Sequence, residues 1–570
     1  MKGNRKNLIQ LVLLLVLIIV VNFISSSVYH RFDLTADNRY TLKPKTKEIL
    51  RDLNEVVYFK VYLTGDMPIG LKRMENRIKE MLDEFRVHAE DNIQYQFINP
   101  SEGRDSKERK RFYQDLRNKG LEPTNVKSRD KEGGYSQRMI FPGAIVNCGK
   151  QQTAVNLLKN NPGLSSERNL NHSIQALEYN LLDAVYKLTL DEKQSIAFIT
   201  GHGELDEYHV GDISKTLSDY YKVDRVRMDG ITPEVYNYKT LVLAKPQETF
   251  SKEEKYTLDQ YLMKGGSIIW FIDKVDISID SLSMKSSTMA NISQLNLEDQ
   301  LFQYGVRLNP DLIKDVQCAV IPVNTSYSGD KPNFTPSPWV YYPLLSSPAN
   351  HPINKNLNMI KAQFVSSIDT LPANPELEKT VLLTSSDHSQ TIQAPVMVSL
   401  REIEKKISRA SFNESRKTTG VLLEGKFQSV FENRFVSDLQ KKTKRDFRTT
   451  SDDTRMIVVS DGDMIKNRVT HKAGRTMITP LGYDRYTKQT YGNKDFIVNS
   501  VHYLTDKENL ISIRGKEVEM RLLDRTRASE EREKWQVVNL LIPVLLIVLF
   551  GLTKNIIRRK KYTSFKFKEQ

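Results

Sequence analysis

The chain has 570 residues, 39% of them hydrophobic, with two cysteines and a formal charge of +14. Two cysteines exclude a disulfide framework and a cysteine-rich zinc site; Cys148 and Cys318 could form one bridge or stay as two buried thiols. The charge is concentrated at the ends: residues 2–6 carry +3 and residues 554–569 carry +6, which leaves +5 for everything between and excludes nucleic acid as a partner.

The first element is an apolar run, Leu8–Ile24, preceded by Lys2, Arg5 and Lys6. A matching run, Val537–Leu552, closes the chain and is followed by Lys554, Arg558, Arg559, Lys560 and Lys561. Positive charge on the terminal side of both runs places both termini in the cytoplasm and the long middle region across the membrane. Each run spans about 25 Å, a little short of a hydrocarbon core of about 30 Å, so each recruits neighbours. Asn539 and Pro543 in the second run point to a neighbouring helix, or to Asn539 lying at headgroup depth. The first run also has the form of a cleaved signal peptide, but Asn22, Phe23 and Ile24 make a poor approach for a peptidase and favour an uncleaved anchor.

Between the anchors, Val56–Leu63 reads as a strand. Leu71, Met74, Ile78, Met81, Leu82 and Phe85 then recur at helical spacing. Strands are expected at Tyr95–Ile98 and Ala144–Val146, and a second long helix carries Ile174, Leu177, Leu181, Val185 and Leu188 on one face. The clearest alternation starts at strand Ile196–Thr200 and continues with a helix bearing Ile213, Leu217 and Tyr220, then strand Leu241–Ala244. Ser251 and Glu254 form a capping box on helix Lys252–Lys264, which stops at Gly265–Gly266 and gives way to strand Ser267–Ile272. A late strand, Arg455–Ser460, is placed to return to the same sheet.

This pattern implies an α/β fold with a mostly parallel sheet covered on both faces. The expected organisation is an anchor (1–30), a membrane-proximal α/β domain (31–190) and a second α/β domain (191–280, completed by about 451–515). An inserted, irregular Ser-, Pro- and Lys-rich subdomain occupies 281–450, with a charged helix-and-loop stretch near 401–448. A linker with the C-terminal transmembrane helix (516–553) and a basic cytoplasmic tail (554–570) complete the chain.

Gly201-His202-Gly203-Glu204 follows a strand and precedes a helix, where open α/β folds place ligands. His202 and Glu204, with His209, suit a metal site or an acid/base pair; the plainer reading is a tight turn whose polar side chains cap the next helix. Asp273 ends one strand and Asp461-Gly462-Asp463 another; paired carboxylates there suit a hard cation or an ordinary turn. The binding candidates are therefore Gly201, His202, Gly203, Glu204, Asp273, Asp461 and Asp463, with no catalytic residue, metal or cofactor assigned. The segment from Gly420 to Lys426 resembles a phosphate loop, but Phe427 stands where the magnesium-binding hydroxyl belongs. Hydrolase signatures are absent as well, so the residues make no positive case for an enzyme.

Several stretches carry a family resemblance: FDLTADNRYTLKPKTKEIL (32–50), YLTGDMPIG (62–70), GHGE (201–204), the segment 241–273, VVSDGDMIKN (458–467) and GNKDFIVNSVHYLTD (492–506). They resemble GldG, the gliding-motility-associated auxiliary component of a Bacteroidetes ABC transporter. The resemblance implies a non-catalytic accessory subunit of the inner membrane, with a large periplasmic domain that couples to, or presents cargo to, a multi-span permease driven by a separate cytoplasmic ATPase. It further implies a Rossmann-like domain, similar to glutamine-amidotransferase folds without their catalytic machinery, and a link to gliding motility or protein secretion. It carries over no ligand and no site residue. The competing expectation is a membrane-tethered periplasmic hydrolase or amidotransferase-like enzyme using His202 and Glu204. Self-association stays open.

Overall fold

A computed structural model describes residues 41–505, except 104, 130–134, 160–164, 191, 325–332, 349, 356, 373–375, 405–408, 444 and 473, together with 511, 513, 529–563 and four residues within 13–17. The contacts divide the chain into two compact units, Met1–Glu517 and Val518–Gln570.

The first part of the larger unit opens with helix α1 (Pro44–Arg51) and strand β1 (Val57–Val61), followed by helix α2 (Ile69–His88) and strand β2 (Ile93–Phe97). Helix α3 (Ser106–Asn118) leads to the ribbon of β3 (Thr124–Arg129) and β4 (Tyr135–Ile140), then to β5 (Gly143–Cys148) and β6 (Gln151–Asn156). A four-stranded sheet has the order β2-β1-β5-β6. The apolar stripe of α2 lies on it, with Met74, Ile78, Leu82 and Phe85 fully buried beside Val57, Phe59 and Val61. The alternating burial of β1 places every second side chain in this core. The single helix expected around 174–188 is two helices, α4 (Ser166–Gln175) and α5 (Leu177–Thr189). They are joined at Ala176, whose N–H is shared between the carbonyls of His172 and Ile174, so the apolar spacing continues across a break that periodicity does not report.

Helix α5 feeds strand β7 (Ser195–Thr200). Helix α6 (Gly211–Ser218), strands β8 (Lys222–Arg227) and β9 (Thr240–Ala244), helix α7 (Lys252–Met263) and strand β10 (Ser267–Phe271) follow in turn. Strands β11 (Leu377–Thr384), β12 (Thr418–Gly425) and β13 (Thr454–Val459) join them in a seven-stranded sheet of order β11-β12-β13-β10-β9-β7-β8. The five strands from β13 to β8 are parallel, while β12 runs antiparallel to both its neighbours.

Strands β9 and β10 are buried along their whole length, which is why they read as continuous apolar runs. Alternate residues serve two separate cores. Val242, Ile269, Phe271 and Ile457 face Ile213 and Leu217 of α6 and Phe496, Ile497 and Val501 of helix α8 (Asn493–Thr505). Leu241, Leu243, Trp270 and Val458 face Leu258 and Leu262 of α7. Each such aliphatic or aromatic side chain adds about 1.5–3 kcal/mol of burial.

The stretch 281–450 differs from the irregular insert expected. It is rich in short strands, and β11 and β12 extend the main sheet on its antiparallel side. Trp339, Tyr341 and Phe364 centre a further core around strands Cys318–Asn324 and Phe334–Leu345. Gly420 and its neighbours up to Gly425 lie inside β12, paired on both edges, so the phosphate-loop resemblance falls on strand and not on a loop. Cys148 and Cys318 are both free thiols.

In the smaller unit, helix α9 (Arg532–Thr563) is 32 residues long and contains Pro543. Its stretch Arg532–Arg559 is long and apolar enough to cross a membrane. The helix continues past Leu552 through Lys554, Arg558 and Arg559, where the sequence suggested a separate tail. The N-terminal run Leu8–Ile24 lies outside the described residues except for Leu13, Leu14, Val16 and Leu17, which are helical.

Candidate functional site at the carboxyl edge of the sheet

Among the parallel strands the order is second, first, third, fourth, fifth in the chain, and it reverses between β7 and β9. Loops leaving the carboxyl ends at such a reversal diverge to opposite faces and open a crevice. All seven candidate residues from the sequence sit at this edge, six in loops and Asp463 at the start of a short 3-10 helix, and they form two groups.

The first group is the turn after β7. Gly201 has φ +130°, and a Cβ there would stand 2.4 Å from the Met228 carbonyl oxygen, so glycine is the residue this close approach allows. Gly203 also has a positive φ, +73°. The turn swings His202 inward, where it is 3% exposed and stacks on Phe250 with ring centroids 3.8 Å apart. Its Nδ1 lies 3.2 Å from Glu204 Oε1 and its Nε2 lies 3.1 Å from Glu254 Oε2. Its backbone N–H donates to Glu204 Oε2, and its carbonyl accepts from the N–H groups of Gln247 and Glu248.

Burial alone would lower the His202 pKa, but hydrogen bonds to Glu204 and Glu254 outweigh it and raise the value above the usual imidazole range. Burial acts on Glu254 in the raising direction. The donors Ser251, His202 and Gly230 overcome it and bring the carboxyl down to about 2. His202 is thus clamped between two carboxylates, with a carboxylate oxygen within hydrogen-bond distance of each ring nitrogen. Glu254 is the capping-box residue of α7, so the clamp ties the end of β7 to the start of the next helix but one.

The second group gathers the ends of β9, β10 and β13. Lys245 leaves β9 with φ +58° and turns its ammonium to Asp273 Oδ2 (2.9 Å) and Asp463 Oδ2 (2.6 Å). Asp273 Oδ1 also accepts from the Gly462 N–H. Asp461 is fully buried; its Oδ1 accepts from the N–H groups of Asp463 and Met464 and its Oδ2 from that of Gln363. Burial, then the two neighbouring carboxylates, push Asp461 well above the carboxylate range. Burial outweighs Lys245 at Asp273, which is raised as well. At Lys245 burial is overcome by Asp273 and Asp463, and the ammonium is held charged far above neutral pH.

The position that a hard cation would take between the aspartates is therefore filled by an ammonium of the chain itself. No cluster of three or more His, Cys, Asp or Glu able to hold a metal occurs among the described residues. His209 does not join either group: it pairs with Asp206 at 2.8 Å on the surface.

Sequence reading missed Lys245, Glu254 and Phe250 as members of the site. Lys245 had a signal, a lone cation directly after the apolar run Leu241–Ala244 and in line with two acidic strand ends. The pairing of His202 with Glu254, by contrast, depends on how the loop folds and leaves no trace in spacing.

At the carboxyl edge of the sheet the charged side chains of the two groups satisfy one another. The comparisons are more specific. Residues 193–500, more than half of the chain, match the family described as ABC-type uncharacterized transport system, and the chain belongs to that family. It is an accessory protein of an ABC transport system. Residues 36–147 match a domain of unknown function. No curated protein matches the chain. Solved structures similar over part of it include the following two. One is the mmIFT52 N-terminal domain, at 14% identity with a TM-score of 0.31, covering 55% of this chain and 98% of the other. The second is a putative ThuA-like protein from Parabacteroides merdae, at 11% identity with a TM-score of 0.27, covering 58% of this chain and 94% of the other.

Proposed function

We propose that this protein is a non-catalytic coupling subunit. Its larger unit stands outside the cytoplasm, anchored by the apolar segments at both ends of the chain, and passes conformational change or cargo to a multi-span permease driven by a separate ATPase. The domain built on the seven-stranded sheet is, in this reading, Rossmann-like with its ligand crevice closed. A role in gliding motility or protein secretion is the biological setting that the sequence resemblance suggests.

One observation carries the reading: at the carboxyl edge, His202, Glu254, Lys245, Asp273 and Asp461 are all committed to partners within the protein. A hydrolase needs a base with a free lone pair within reach of its nucleophile, and each ring nitrogen of His202 faces a carboxylate instead. What supports a coupling role is family membership together with a 28-residue stretch able to cross a membrane.

The test is purification of the full chain in mild detergent from its native membrane. Recovery with a permease and an ATPase in fixed stoichiometry is expected; recovery alone would overturn the proposal. Replacing His202 by Ala separates the enzyme reading, which requires loss of function with the complex still assembled.

A further inference from the structure

A second feature, apart from the strand-end site, lies in the first domain. A groove of about 680 Å³ runs between β3, the start of α2 and the start of α4, with Leu71, Leu158 and Leu170 among its lining residues. Ile69 stands at its wall and is 90% exposed.

Three observations define what fits. Thr124, Asn125 and Val126 all line the groove, and no residue of β4 does. Successive side chains of a strand point to opposite faces, so three consecutive lining residues mean that the groove follows the strand's edge. That edge is open: β3 pairs with β4 alone among the described residues, in a two-stranded ribbon. An unpaired edge presents N–H and C=O groups that only another extended backbone satisfies fully.

The charge at one end is the third observation. Arg73 donates to the neutral Asn171 carbonyl at 3.0 Å and has no carboxylate partner among the described residues. The amino end of the 20-residue helix α2 meets the groove with no side-chain cap and no acidic residue in its first turn. The other groove cation, Lys159, is neutralised by Asp495 at 2.7 Å, and Glu167 is the one acid in the lining.

We infer that this groove receives an extended polypeptide segment of another protein. The segment adds as a third strand to β3, seats an aliphatic side chain on Leu71, Leu158 and Leu170, and sets a carboxylate against Arg73. A lipid fills apolar volume equally well but makes no use of an open strand edge, which is why the observations favour a peptide. The inference rests on the reading of this chain as a subunit that works through protein contacts.

The experiment places the photo-crosslinker benzoylphenylalanine at Ile69 of the full chain in its native membrane. Exposure of that residue makes the replacement harmless to packing. The expected product is an adduct with a second polypeptide, mapping to an extended segment that carries Asp or Glu. Its yield should fall about tenfold in Arg73→Glu, through loss of a charge-assisted hydrogen bond. It should fall similarly in one of Asn125→Pro and Val126→Pro, because alternate residues turn their N–H to the open edge. Thermal unfolding reports whether a proline variant folds, and Arg73→Glu decides the matter if neither does. Adducts confined to lipid or to this chain, or a yield indifferent to Arg73→Glu, overturn the inference. If that happens while permease and ATPase still co-purify, the groove is dismissed and the coupling role stands.

Discussion

Replacing Lys245 by Met removes the ammonium while keeping most of the stem that packs against Gly462. Lys245 is 16% exposed and bridges Asp273 and Asp463, themselves 13% and 11% exposed. Taking one partner from a buried pair leaves an uncompensated charge, and such changes cost about 3–5 kcal/mol. Here two carboxylates lose one counter-ion and the raised Asp461 stands close by, so about 4 kcal/mol is expected at pH 7.5. The loss has a pH signature. In the variant the already raised Asp273 carboxyl loses the ammonium that favours its charged form, so its folded-state pKa rises further and ionising it destabilises the fold as pH increases. The deficit should therefore be small near pH 4 and grow toward pH 7. Urea unfolding of the full chain in lipid nanodiscs at several pH values, followed by tryptophan fluorescence, measures both quantities, since Trp270 is buried in β10 of the same sheet. A second replacement, Asp463→Asn, should return at least half of the loss. A deficit below about 1 kcal/mol, or one independent of pH, would refute the description of these strand ends as a charge-compensated buried cluster.

Other outcomes follow from the same geometry. Gly201→Ala should destabilise by about 3 kcal/mol, because both the positive φ and the Met228 carbonyl oppose a Cβ; chemical unfolding reads it directly. His202 has a folded pKa raised above its unfolded value, so its contribution is complete below about pH 6.5 and fades as pH climbs through the raised value. The stability gap between wild type and His202→Phe should accordingly narrow from pH 6 to pH 9. Glu254 behaves in the opposite sense: its stabilisation is present above about pH 4.5 and lost as pH falls toward about 2, a loss that Glu254→Gln should not show. Asp495→Asn breaks a pair with Lys159 that is 46% exposed on the acidic side and should change stability by less than about 1 kcal/mol.

How much of this was legible in the sequence depends on the kind of interaction. Strands β7, β9, β10 and β13 announce themselves because burial on both faces demands unbroken apolar runs. Helix α7 is marked by its capping box and by the glycines that end it. Strands β11 and β12 escaped notice because they belong to the antiparallel side of the sheet and arrive after long excursions through short strands and helices. At the site, the acidic strand ends were visible as residue types, but their state was not. Asp463 and Asp273 look like cation ligands until Lys245 is placed between them, and that depends on three loops converging. His202 was read as a metal ligand, an acid/base group or a helix cap; it does connect to a capping residue, though of the second helix onward.

Helix α8 makes one further point. Asp495 near its start pairs with Lys159 of the first domain, while Phe496, Ile497 and Val501 lie in the core of the main sheet. Just beyond it, Ile511 is buried in that same core and Ile513, two residues on, in the core of the four-stranded sheet. Two residues of extended chain reach about 7 Å, so this short strap is riveted to both cores at almost one point. A hinge between the cores would have to extract one isoleucine or the other. Ile511 and Ile513 thus join the two α/β cores of the larger unit at nearly one point.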